Sequence, residues 1–99
     1  MRMFVKAEVF ETITTDEEVA RLRDTVGQQI KKIMESGKLE LGWVAVDARS
    51  PMFIFNVDSA AEVLELLGGA FVDHFKIETH PIISLEELAK FFAEHPPGR

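Results

Sequence analysis

Apolar and polar positions along the chain follow two spacings that alternate from segment to segment. Residues 2–10 place apolar side chains at nearly every second position, which is typical of a strand with one face on a core. Apolar residues then recur at helical spacing through residues 16–36. Two short apolar runs between residues 37 and 59 flank a turn that contains Pro51, and this pattern predicts an antiparallel hairpin.

The second half of the chain repeats the same kinds of pattern. A short helix is predicted from Ser59, with Gly68 as its stop signal. Alternation over residues 71–80 predicts a last strand, which Pro81 should end. Residues 84–94 predict a C-terminal helix with apolar side chains in line.

Each predicted helix opens on a capping box, in which a Ser or Thr is followed three residues later by Glu. The boxes are Thr15 with Glu18, Ser59 with Glu62, and Ser84 with Glu87. The order is therefore β-α-β-β-α-β followed by a helix, which is the ferredoxin-like pattern. We predict one α+β domain over residues 1–99 with a ferredoxin-like core over 2–82. By analogy with that fold, its four-stranded antiparallel sheet has the order 4-1-3-2.

The second and third predicted strands are apolar on both faces. Residues 52–57 are apolar at nearly every position, so both faces of that strand should be covered. In the preceding strand, Leu39, Leu41 and Trp43 are expected on one side and Val44 on the other. Because a monomer would leave a large apolar patch in water, we expect a homodimer or larger homo-oligomer with sheets packed face to face. The alternative is a monomer whose C-terminal helix folds back over this face.

Composition and charge narrow the classes of function. The chain has 99 residues, a formal net charge of −6 and scattered basic residues, which disfavours nucleic acid as a partner. Cysteine is absent, which excludes disulfides, thiolate metal sites and thiol catalysis. No apolar run approaches the roughly 20 residues of a membrane span, and the N-terminus lacks a signal-peptide pattern. We therefore expect a cytoplasmic protein without a membrane partner.

Several segments resemble the muconolactone isomerase family. They are residues 36–38 at a helix end, Trp43 in the next strand, residues 54–59 leading into the second helix, and the strands at 4–9 and 75–81. The resemblance implies paired ferredoxin-like sheets that form a dimeric α/β barrel, and it allows larger assemblies. It also implies a cofactor-free isomerase that moves a proton within a small unsaturated lactone during the catabolism of aromatic compounds.

The sharpest candidate residues are Lys6 and Glu8, two positions apart on one face of the first strand and about 7 Å apart along it. In the functional interpretation, Glu8 is a general base and Lys6 binds an anionic substrate. In the structural interpretation, both residues pair across strands with Lys76 and Glu78, whose spacing matches.

Three further residues are candidates for the same site. Trp43 either lines a ligand pocket or fills the core, and Arg49 either clamps a carboxylate from the pocket rim or is a solvated turn residue. His80 is a candidate proton shuttle or a surface histidine. His74 and His80 would lie ~20 Å apart on a strand, too far to share a metal ion, so no metal is predicted.

Three classes of function follow. The first is a cofactor-free isomerase with Glu8 and His80 as catalytic candidates and Lys6, Trp43 and Arg49 as substrate-binding candidates. The second is a non-catalytic small-molecule-binding or regulatory barrel. The third is a cofactor-free monooxygenase-like barrel that acts on a phenolic substrate. The isomerase-like interpretation leads because the resemblance spans most of the chain.

Overall fold

A computed structural model describes residues 1–10, 15–46 and 50–98. The strands are Arg2–Val9 (β1), Leu39–Ala45 (β2), Ser50–Asn56 (β3) and Phe75–Ile82 (β4), and the helices are Asp16–Glu35 (α1), Ala60–Val72 (α2) and Leu85–Glu94 (α3). The four strands form one antiparallel sheet in the order β2-β3-β1-β4. This order confirms the predicted ferredoxin-like α+β fold, with α3 added after its last strand.

The helices begin where the capping residues predict. The Thr15 hydroxyl accepts a hydrogen bond from the Glu18 N–H at 3.1 Å, which satisfies one of the free donors of α1. At α3 the box is reciprocal, since Ser84 Oγ accepts from the Glu87 N–H and the Glu87 carboxylate accepts from the Ser84 N–H. These local contacts fix the starts of the helices without help from tertiary packing.

One face of the sheet carries the hydrophobic core. The odd-numbered residues of β1 point towards α1 and α2, and they are buried as far as Ala7. Phe53 stacks on Phe55 with ring centroids 5.2 Å apart, and Phe71 from α2 meets Phe53 edge-on at 5.8 Å. The core consists of Met3, Val5, Ala7, Ile33, Phe53, Phe55, Val57, Val63, Leu67, Phe71 and Phe75. The opposite side of the sheet, which we call the open face, contributes none of these side chains.

The boundary between α2 and β4 differs from the prediction. Residue 71 was expected to begin a strand, but helical backbone continues to Val72 and β4 starts at Phe75. Gly68 has φ 63° and ψ −179°, so the first helical segment of α2 does stop there, as predicted, and a second short segment follows across the kink. Pro81 also does not end β4, because β4 is an edge strand and tolerates a residue without an N–H.

A β-bulge changes which side chains of β2 lie on the same face of the sheet. Leu39 lies opposite Phe55, whereas Leu41 lies opposite Ile54, with the irregularity between them. Because Phe55 faces the helices and Ile54 does not, Leu39 packs against the core and Leu41 lies on the open face. The expectation that both leucines share one side is therefore wrong.

Helix α3 projects from the rest of the chain. The molecule is 58 Å long but only 26 by 21 Å across, and its radius of gyration of 16.6 Å exceeds the roughly 13 Å typical of a compact chain of this size. Leu85 is 84% exposed and Phe92 is 62% exposed. In the single chain, α3 therefore does not fold back over the open face, contrary to the monomeric alternative.

Candidate ligand-binding site on the open sheet face

The open face has an apolar half and a charged half. Strand register aligns residues in rows across the sheet, and a row of four strands spans about 14 Å at ~4.8 Å per strand. One row contains Leu41, Ile54, Phe4 and His80, and the next contains Trp43, Met52, Lys6 and Glu78. Each row therefore runs from aliphatic or aromatic side chains on β2 and β3 to ionisable ones on β4.

The apolar half is centred on Phe4 and Trp43. Their ring centroids are 6.2 Å apart, although β3 lies between their strands. Trp43 is 40% exposed and Leu41 is 54% exposed, so this surface remains open to solvent in the single chain. Trp43 thus lies on the candidate site and is not a core residue.

The charged half contains Lys6 and Glu8, which the sequence singled out. Lys6 lies opposite Glu78 and Glu8 opposite Lys76, as their spacing predicts, and the four side chains line a shallow depression. The shortest ion pair, however, runs along β1, with Lys6 Nζ 3.0 Å from Glu8 Oε1. This contact differs from the predicted cross-strand pairing, because two side chains on the same face of one strand can meet directly.

The electrostatics of this pair keep Lys6 charged. A hydrogen bond from Lys6 to Glu8 and the negative charge of Glu8 raise the pKa of Lys6, and the charge of Glu78 adds to the effect. Both side chains remain partly exposed, so an incoming ligand can reach them. An anionic ligand can therefore replace Glu8 as the partner of the Lys6 cation.

His80 lies beside the apolar half. Its ring stacks on Phe4 with centroids 6.3 Å apart, and its Nε2 is 3.7 Å from Glu78 Oε2. His74 precedes β4 in a turn, so the two histidines are separated by most of that strand. Within residues 1–10, 15–46 and 50–98, no three potential metal-ligating side chains cluster together.

The ion pair between Arg2 and Glu40 was not among the predicted contacts, and Arg49 lies outside the described residues. Arg2 Nε and Nη2 donate to the two carboxylate oxygens of Glu40 at 2.8 Å each, and this bidentate contact raises the pKa of Arg2. Glu40 sits at the bulge, which the sequence pattern does not reveal. Arg49, the predicted carboxylate clamp, is outside the described residues.

The fold and this surface define a ferredoxin-like α+β protein. In the described part of the chain, its core helices cover one face of the sheet and leave the other open. The chain belongs to the DUF3303 family, a domain of unknown function, whose family model matches residues 1–96. No curated protein matches the chain. Across the part of the chain that the structure describes, no helix is both long and apolar enough to cross a membrane.

Proposed function

We propose that the open face binds a small molecule that carries an apolar ring and one anionic group, in the manner of the muconolactone isomerase family. The single observation that supports this proposal is the position of the Lys6–Glu8 pair beside the Phe4–Trp43 surface. An apolar wall with a few convergent polar groups is typical of small-molecule sites. The ligand's ring would lie on the aromatic side chains and its anion on Lys6.

Binding also gives Glu8 a chemical role. In the free protein Lys6 Nζ lies 3.0 Å from Glu8 Oε1, so the ammonium group of Lys6 occupies that carboxylate oxygen. When the anion of a ligand takes over Lys6, Glu8 loses its partner and becomes available to accept a proton from the bound ring. Its position on a central strand, next to the apolar surface, suits this general-base role. The proposed reaction is a cofactor-free proton shift: Glu8 takes a proton from one ring carbon, His80 is the candidate group that donates a proton to another, and exchange with solvent restores both groups.

A second copy of the protein is the proposed cover for the open face. Leu41 and Trp43 are exposed, and Phe4, Met52 and Ile54 are only half-buried in the single chain. Packing two such faces against each other would exclude water from the ligand and strengthen its contact with Lys6. The proposal therefore includes a homo-oligomer of the dimeric α/β-barrel type, in the cytoplasm.

The alternative is binding without turnover. It is favoured by one observation, the short contact between Lys6 and Glu8, which leaves the candidate base engaged. In that case the ligand would occupy the same surface, and Glu8 would serve only to hold Lys6 in position.

Proton NMR of muconolactone in D₂O with stoichiometric protein tests the proposal. We expect the labile ring protons to exchange faster than in buffer, and Glu8→Gln to remove this exchange while ligand binding persists. Binding is followed separately by the fluorescence of Trp43, the one tryptophan of the chain. Loss of a charge-assisted contact costs about 1.5–3 kcal/mol, so Lys6→Met should weaken binding roughly 10- to 150-fold.

Lys32→Met is the matched control, because Lys32 is exposed on α1 and belongs to the opposite side of the molecule. It should leave both exchange and affinity unchanged. Fluorescence titration without any proton exchange would select the binding-only alternative. A wild-type protein that neither binds nor exchanges this lactone or a related aromatic carboxylate would contradict the proposed site.

A further inference from the structure

Helix α3 presents an apolar stripe that stays largely exposed in the part of the chain that the structure describes. Its apolar side chains are Leu85, Leu88, Phe91 and Phe92, and no side chain of α3 is buried among the described residues. A helix of ten residues is marginal in water, because its nucleation is costly and it has few hydrogen bonds to compensate. The stability of α3 therefore requires a surface that buries this stripe.

An apolar groove of about 400 Å³ lies on the opposite edge of the molecule, between α1 and β2. Ile30 and Met34 form its helical wall. Gly42, Trp43, Val44 and Phe53 form the sheet side. Met34, near the end of α1, is 67% exposed and borders this groove. The groove is thus an unfilled extension of the hydrophobic core.

The groove lies beyond the reach of the chain's own α3. Helix α3 begins three residues after β4 ends, and three extended residues span at most about 11 Å. Strands β4 and β2 are the two opposite edges of the sheet, about 14 Å apart. In the first turn of α3, Glu87 borders the same depression as Arg2 of β1.

We propose that α3 of one copy docks in the α1–β2 groove of a second copy, and that the exchange is reciprocal. The contact stands independently of ligand binding at the open face.

The chemistry of the two surfaces supports this occupant. The described residues that line the groove are all apolar. The apolar side chains of α3 recur at three- and four-residue spacing on one side of the helix. An amphipathic helix laid into an apolar groove is a recurring mode of recognition between protein chains.

The area available suits a specific dimer. A whole phenylalanine side chain can bury about 150–250 Å². Phe91 is 51% exposed and Phe92 is 62% exposed, so about half of each ring is still available. Two helices exchanged reciprocally would thus bury roughly 350–550 Å² of phenylalanine surface, and the grooves that receive them would bury a similar area. Leu85, which is 84% exposed, adds to a total near the roughly 1,000 Å² that a specific interface needs.

Sedimentation analysis of the full chain over a range of concentrations tests the contact. We expect the wild type to dimerise, and both Phe92→Glu on α3 and Val44→Lys in the groove to weaken self-association at least about tenfold. Leu64→Glu is the control, because Leu64 is 54% exposed on α2 and lies outside the groove. It should dimerise like the wild type.

Mixing the two variants tests whether α3 of one chain enters the groove of the other chain. A dimer of one Phe92→Glu chain and one Val44→Lys chain keeps one intact helix and one intact groove that fit each other. The mixture should therefore associate more tightly than either variant alone. A monomeric wild type, variants that dimerise as well as the wild type, or a mixture without any gain would each overturn the proposal. In the second case the open face would remain as the contact between copies. A monomeric wild type would contradict both contacts between copies but not the ligand site, which the fluorescence titration of Trp43 tests separately.

Discussion

Leu67→Ala is expected to lower the free energy of unfolding by about 2–5 kcal/mol, whereas Leu64→Ala, one turn earlier on α2, should lower it by less than about 1 kcal/mol. Leu67 is fully buried in the core, and Leu64 is 54% exposed. Both substitutions remove the same atoms from the same helix, so the difference between them isolates the lost packing and the cavity left behind. Chemical denaturation of both variants measures the two values.

The comparison also tests which side of α2 faces the sheet. Helical spacing alone places Leu64 and Leu67 close together on the helix surface, and it does not say which of them is buried. Equal losses of stability, or a larger loss for Leu64→Ala, would contradict the position of α2 on the sheet.

Gly68→Ala is expected to destabilise the protein by about 1–3 kcal/mol or more. Gly68 has φ 63° and ψ −179°, a backbone region that is essentially restricted to glycine. A Cβ at this position would lie 3.1 Å from the side-chain amide of Gln29, which donates a hydrogen bond to the Leu66 carbonyl at 2.7 Å. The substitution therefore combines backbone strain with displacement of a contact between α1 and α2.

Gly27→Ala is the matched control for Gly68→Ala. Gly27 lies inside α1 in helical conformation, and within the described part of the chain a Cβ there meets nothing within 4 Å. Alanine should stabilise that position by up to about 1 kcal/mol, because glycine is a poor helix former. Thermal and chemical denaturation compare the variants. A neutral Gly68→Ala would show that α2 is not kinked there in solution.

The sequence predicts the order of elements because local rules determine it, and it predicts the strand order by analogy with the ferredoxin-like fold. Capping residues such as Thr15 and Ser84 select helix starts through contacts three residues away. The fold pattern then follows from the sequence of elements. The boundary at Phe71 could not be predicted in this way, because alternation over residues 71–80 continues smoothly through the end of a helix. The burial of Phe71 between Phe53 and Phe75 places it in α2.

The candidate site was predictable where it depends on strand spacing. Lys6 and Glu8 on β1 align with Glu78 and Lys76 on β4, since both strands are regular and antiparallel. The pair between Arg2 and Glu40 was not predictable, because it depends on a bulge that inserts one residue into β2. Period-two patterns do not locate such insertions, and the same bulge reversed the predicted face of Leu39.

The bulge in β2 and the proline in β4 also bear on how the protein stays in solution. Strands β2 and β4 are the two edges of the sheet, and edges with free backbone groups promote edge-to-edge pairing between molecules. The irregular register at Leu39–Leu41 interrupts the regular spacing of backbone groups along one edge. Pro81 removes a backbone N–H donor from the other edge. The growth of a continuous intermolecular sheet of the amyloid type is therefore disfavoured at both edges of this sheet.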